Sequence, residues 1–118
     1  ETSAQQWAEE TAKGRAAAER WPERVIELRY EDLLAEPEAA LARLLDFLGV
    51  ASDAAILRAC LDATDFAKLS GGRAAGEEER GSFFRKGVAG DWRQHFDAAQ
   101  TARFEQLAGR QLAVYGYT

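Results

Sequence analysis

The sequence predicts a mainly helical chain, about four helices with one strand, and three observations predict it. Apolar residues recur at helical spacing in four separate stretches. Only Val25–Tyr30 alternates apolar and polar side chains in the manner of a strand. The chain has 118 residues, 47% of them apolar and 30% charged, which suits a single hydrophobic core better than a disordered segment.

The first helix is expected from about Ser3 to Arg20. Ser3 with Gln6 three residues on has the form of a capping box, and Ala4, Trp7, Ala8, Thr11 and Ala12 follow at helical spacing. Pro22 stops it, and Trp7 reads as a core anchor. In the strand that follows, Ile26, Leu28 and Tyr30 alternate with Glu27 and Arg29. A lone strand leaves backbone donors and acceptors unpaired. It therefore calls for a second copy of the chain, or for a sheet in sequence outside these residues.

A second helix begins near Pro37, whose fixed φ suits the first helical position. Leu41, Leu44, Leu45 and Leu48 form its apolar stripe, and Gly49 stands where a C-terminal cap belongs. A third, shorter helix starts at Ser52 or Asp53 and is expected to bury Ile56, Leu57, Cys60 and Leu61. The segment from Ser70 to Ser82 holds four glycines and no large apolar residue, so a mobile loop or lid is expected over 70–82. Gly71 and Gly76 have the spacing of a nucleotide loop. Glu77, Glu78 and Glu79 follow in place of Lys and Ser or Thr, and three acids would repel a phosphate. Asp97 with Gln100 opens the last helix, whose apolar face is Phe104, Leu107, Ala108, Leu112 and Tyr115, and Gly116 closes it.

Composition excludes several functions. No apolar run approaches the ~20 residues of a membrane span. A net charge of −5 argues against nucleic acid as a partner. One cysteine, Cys60, and one histidine, His95, cannot make the usual zinc site, so no metal is expected. Cys60 has no disulfide partner and reads as a small core residue. With no secretory pattern at Glu1, the setting expected is reducing and cytoplasmic.

The charge is unevenly placed. Up to Glu79 there are 9 basic and 17 acidic residues, and from Arg80 onward 6 basic and 3 acidic, a change from −8 to +3. The basic part contains Phe83-Phe84-Arg85-Lys86-Gly87-Val88-Ala89-Gly90-Asp91-Trp92. Arg85 offers a planar fork of donors and Lys86 a point charge. Gly87 and Gly90 allow close backbone approach to an anion. Phe83, Phe84 and Trp92 are expected to anchor the flanks in a core. These ten residues have two readings, a phosphate cradle or a glycine turn with solvated charges. A net positive stretch of this length suits a small polyanion better than a polyphosphate backbone.

Three segments in order resemble the C-terminal part of the sulfotransferases that use 3′-phosphoadenosine 5′-phosphosulfate (PAPS). These are Arg29-Tyr30-Glu31-Asp32-Leu33 with Pro37, then Thr64-Asp65-Phe66, then Phe84 to Trp92 running on to His95-Phe96. The resemblance covers nearly the whole chain. It implies the C-terminal portion of an α/β parallel-sheet fold related to P-loop kinases, with residues 1–118 a single fragment of that domain. It implies that Arg85, Lys86 and Gly87 hold the 3′-phosphate, that Phe66 meets the adenine, and that Tyr30 and Thr64 contact the base.

The donor implied is PAPS and the product adenosine 3′,5′-bisphosphate, with a hydroxyl or amine acceptor of unknown kind. The family's phosphosulfate loop with its catalytic lysine, its catalytic base and further 3′-phosphate ligands have no match here. No catalytic residue is expected in this chain, which by itself is expected to be inactive. The missing N-terminal part, or a second chain, would complete the sheet. Of the dimerisation motif in cytosolic members, only Arg93 matches in kind, against Asp97-Ala98 and Ala102 at the other positions. Beside the enzyme stand two other readings, a non-catalytic nucleotide-binding module and a helical protein-interaction module.

Overall fold

The computed structural model describes residues 2–117. In chain order its helices are α1 (Thr2–Arg20), α2 (Tyr30–Ala35), α3 (Pro37–Leu48), α4 (Ala54–Ala63), α5 (Phe66–Leu69) and α6 (Ala98–Val114), with a 3-10 turn at Asp91–Gln94 before the last. The described residues contain no strand. The expected strand at Val25–Tyr30, and with it the parallel sheet, is overturned. Residues 25–29 are irregular and Tyr30 already begins α2. The physical reason is pairing: an extended segment becomes a strand only against a neighbour. Glu27 is half-buried, held by two partners described below.

The chain divides into two compact units, Glu1–Glu27 with Asp91–Thr118, and Leu28–Gly90. In the first, α1 packs against α6. Ala4 and Ala108 are its buried residues, so small side chains let the two helices approach. Trp7 lies at the centre of an aromatic cluster, with its ring 6.0 Å from Phe104, 6.5 Å from Tyr115 and 6.4 Å from Tyr117, in tilted and edge-on geometry. Its expected role as an anchor holds.

The Tyr115 hydroxyl fixes the register of the two helices. Its single proton is shared between the Thr11 carbonyl oxygen, at 2.9 Å, and the Glu27 carboxylate. Glu27 in turn pairs with Arg15 at 3.1 Å. Burial, and then the carboxylate beside it, push the Tyr115 phenol up to about 12.

Helix ends follow the local sequence closely. Asp97 accepts from the Gln100 amide at 2.7 Å while the Gln100 side chain accepts from the Asp97 amide at 3.0 Å, the expected capping box of α6. Pro37 opens α3, Gly49 caps it in the left-handed conformation at φ 68°, and Asp53 caps α4. Ser3 is an exception. It lies inside α1, which already runs from Thr2.

In the second unit α3 packs against α2 and α4. Leu57 is buried and Leu61 half-buried, but Ile56 and Cys60, one turn apart on another row of α4, are exposed. Cys60 is therefore not the core residue expected. Helical spacing marks a row as apolar, but its burial depends on a neighbour, and this row has none. For the same reason Leu48 is exposed at the end of its stripe. No described helix is long and apolar enough to cross a membrane.

Replacing Tyr115 by Phe should lower stability by roughly 1–2 kcal/mol at neutral pH, read by urea unfolding of the intact protein. A folded pKa raised from 10 to about 12 means that this stabilisation is fully present below pH 10. It is lost as pH rises through the folded value. The gap between wild type and Tyr115→Phe should stay level up to about pH 10 and close toward pH 12.

Candidate functional site

The turn at Arg85–Gly87 is built against a one-turn helix and a loop, all within the second unit. Asp65 caps the short helix α5, its carboxylate accepting from the Lys68 amide at 3.1 Å. This places Phe66 at the first position of the helix, half-buried. Gly87 lies directly against that ring. It has φ 66°, and a Cβ built on it would fall 2.6 Å from Phe66 Cδ2 and 2.7 Å from Cε2. Both the left-handed backbone and the ring contact therefore require glycine. The adenine-contact candidate and the third 3′-phosphate candidate, 21 positions apart in the sequence, are in direct contact.

Arg85 stands two residues before Gly87, with its side chain half exposed. Its Nε donates to Glu78 Oε1 at 2.7 Å, and its Nη2 lies 2.5 Å from the same oxygen. Hydrogen bonding to Arg85 holds the Glu78 carboxyl below the usual carboxylate range. Lys86 follows, half-buried. The three acids of the loop, read from sequence as a repulsive run, each have a local partner. Glu77 Oε2 accepts from the Ala74 amide at 2.9 Å, Glu78 takes Arg85, and Glu79 pairs with Arg73 at 3.2 Å.

Arg73 is the residue that sequence reasoning missed. Its Nη1 donates to the carbonyl oxygens of Glu77 (3.0 Å) and Arg85 (2.9 Å), and its Nη2 to Ser82 Oγ (3.0 Å) and the Phe84 carbonyl. The Gly76 amide donates to the Lys86 carbonyl at 2.8 Å and the Glu79 amide to the Arg85 carbonyl at 3.0 Å. The loop and the turn are thus held by side-chain and backbone bonds. The expected aromatic anchors do less. Phe83 is 94% exposed, with its ring edge-on to Phe84 at 5.2 Å, while Trp92 is exposed and meets Phe96 at 5.9 Å. A clue to Arg73 was available, a basic residue directly after two glycines, but its partners lie up to 12 positions away.

The remaining candidates are positioned by helix ends. Thr64 is the C-cap of α4, and its hydroxyl donates back to the Cys60 carbonyl at 2.9 Å. Tyr30 opens α2 and is 50% exposed. Four of the six candidates, Phe66, Arg85, Lys86 and Gly87, therefore share one contact and one turn. His95 Nε2 lies 3.2 Å from Asp91 Oδ2 across the 3-10 turn. The described residues hold no group of three or more His, Cys, Asp or Glu arranged for a metal ion.

Comparison with known proteins decides the family. The sulfotransferase domain profile matches residues 3–116. The chain belongs to the sulfotransferase family.

Human sulfotransferase 1C2 is 28% identical over 97 residues, which cover 75% of this chain and 33% of the relative. Cytosolic sulfotransferase 4 of Arabidopsis thaliana is 30% identical over 96 residues, 77% of this chain and 32% of the relative. Human sulfotransferase 2B1 is 27% identical over 94 residues, 72% and 26%. This sulfotransferase-family chain thus spans about a third of the length of the curated relatives it matches. No solved structure matches it.

The contact at Gly87 gives a direct test of this geometry. Gly87→Ala should destabilise the protein by about 1–3 kcal/mol, because the new methyl meets an aromatic ring in a left-handed backbone. Gly81→Ala, where nothing lies within 4 Å, should stay within about 0.5 kcal/mol of wild type. Thermal and urea unfolding of the two variants, side by side, measure the difference.

Proposed function

We propose that this chain supplies the adenine and 3′-phosphate contacts of a sulfotransferase that moves a sulfuryl group from PAPS to a hydroxyl or amine acceptor. The observation that carries this reading is the seating of Phe66 against Gly87, inside the turn that bears Arg85 and Lys86. An aromatic face and a two-cation turn, joined in one contact, fit a ligand with a flat base and a phosphate. Gly87 lets the turn lie directly against the ring, where any side chain would push the two apart. Tyr30 and Thr64 complete the base contacts in this reading.

In the reaction, the acceptor oxygen or nitrogen attacks sulfur and the bond from sulfur to the 5′-phosphate oxygen breaks. Adenosine 3′,5′-bisphosphate leaves, and the acceptor proton passes to a base. Catalysis of such transfers is mostly positioning and charge stabilisation. The chain's own share is to bind and orient. Arg85 and Lys86 neutralise the 3′-phosphate, and Phe66 sets the plane of the adenine. The phosphosulfate loop and the proton acceptor belong to parts of the family's length that this chain does not span. The 118-residue chain alone should accordingly transfer no sulfuryl group.

Residues 70–82 act in this reading as a lid. Glu78 holds Arg85 until a phosphate replaces it. An exposed ion pair through a single carboxylate oxygen is weak and salt-screened, whereas a phosphate brings more charge and three acceptor oxygens. A cytoplasmic setting belongs to the same reading, supported by the cytosolic designation of the Arabidopsis relative. The Arg85–Glu78 pair is also what favours a second reading, a helical protein-interaction module, in which this ion pair is the permanent state.

Calorimetric titration of the intact protein with adenosine 3′,5′-bisphosphate and with 5′-AMP separates the two. The bisphosphate should bind more tightly, and Arg85→Ala should reduce that preference about tenfold to a hundredfold, the worth of one charge-assisted contact. Glu78→Gln should tighten bisphosphate binding a few-fold by removing the competitor. No preference in wild type, or one indifferent to Arg85, would favour the module.

A further inference from the structure

We infer that Arg73 is the positioning residue that sets the anion-binding form of the Phe84–Lys86 turn. The inference rests on the proposed role of Arg85 and Lys86 as 3′-phosphate ligands and extends it to a residue that does not itself meet the phosphate. Three observations carry it. First, the Arg73 side chain is only 18% exposed, in a segment that is otherwise mostly solvent-facing. A long cation takes such a place at a cost in hydration and rotamer freedom, so its bonds must return that cost.

Second, every N–H of its guanidinium has an acceptor. Nη1 and Nη2 take carbonyls of the loop and the turn together with Ser82 Oγ. Nε faces the Ser70 carbonyl at 3.4 Å and the Glu79 carboxylate at 3.2 Å. Its charge is balanced by Glu79, so it is placed to hold backbone rather than to attract a ligand.

Third, the bonds fall on the carbonyls that matter. A carbonyl oxygen aimed at a phosphate repels it, so a turn that binds phosphate must direct its carbonyls elsewhere. The Phe84 and Arg85 carbonyls are drawn onto Arg73, and the Lys86 carbonyl onto the Gly76 amide. The same guanidinium lies 5.6 Å from the centre of the Phe66 ring. One side chain therefore ties together the loop, the turn and the aromatic residue of the proposed site. Lysine could not replace it, because a single ammonium cannot span acceptors arranged around a planar fork.

The test is the same pair of titrations on the intact protein, with Arg73→Gln, Arg73→Lys and Arg85→Ala. Both Arg73 variants should weaken adenosine 3′,5′-bisphosphate binding about tenfold or more and leave 5′-AMP affinity within about twofold, since 5′-AMP lacks the 3′-phosphate. Equal loss for both nucleotides would overturn the inference, since general loosening of the fold would act on both. Wild-type preference in Arg73→Lys would overturn it as well.

If Arg85→Ala leaves the preference unchanged, the cradle reading itself fails, whatever the Arg73 variants do. Should both Arg73 variants fail to fold, NMR of the wild type decides. Bisphosphate, and not 5′-AMP, should shift the Arg73 Nε–H resonance together with the Phe84–Lys86 amides. An unmoved Arg73 resonance beside shifted amides would overturn the inference.

Discussion

The absence of a side chain at position 87 is the constraint on which the rest of the second unit depends. With a hydrogen there, the backbone can take φ 66° and lie against the Phe66 ring. The turn then passes close to α5, and its carbonyls come within reach of Arg73. Any Cβ at that point would push the turn off the ring and lengthen those bonds. A single small residue thus couples the cap at Asp65, the short helix, the acidic loop and the cationic turn into one arrangement. That coupling gives the proposed site a defined geometry, although it sits among loops rather than on long regular elements.

The first unit solves a different problem with similar means. Two helices distant in sequence, α1 and α6, approach closely because alanines lie between them, and Trp7 fills the wider gap with aromatic contacts. Packing of this kind leaves sliding along the helix axes weakly opposed. The Tyr115 hydroxyl opposes it directionally, through the Thr11 carbonyl and the Glu27 carboxylate. Glu27 is held in place by Arg15. In both units a polar side chain reaching across the chain fixes what apolar packing only brings near.

This division between near and far explains what the sequence made legible. The caps at Pro37, Gly49, Asp53 and Asp97 were readable because each depends on residues within one turn. The apolar stripes gave the helices but not their burial, so Cys60 and Ile56 came out exposed. The strand at Val25–Tyr30 failed because alternation states a preference for two faces, not the presence of a partner. Arg85, Lys86 and Gly87 were legible as a group because charge and glycine occur together over three positions. Arg73 was not, since its acceptors come from the loop, a serine and the turn, and no periodicity encodes them. The partners of the acids at 77–79 were hidden for the same reason. Their charge is visible in sequence, while the donors that balance it are not.

Charge decides how such a site can work at all. A chain of net charge −5 would repel a nucleotide bisphosphate at long range, so the proposed capture cannot rely on a broad positive surface. It must rely on a few cations met at contact distance, where screening by salt is weakest. Three adjacent glutamates beside those cations look counterproductive until their partners are considered. Glu79 balances Arg73, which keeps a cation that serves the backbone from competing for the ligand. Glu78 keeps Arg85 extended along the loop and hydrogen-bonded before any ligand arrives. In the proposed reading a phosphate replaces one partly exposed carboxylate, an exchange of like for like. In the proposed reading the acidic run lowers affinity slightly, and in return it keeps the turn ordered before an anion binds.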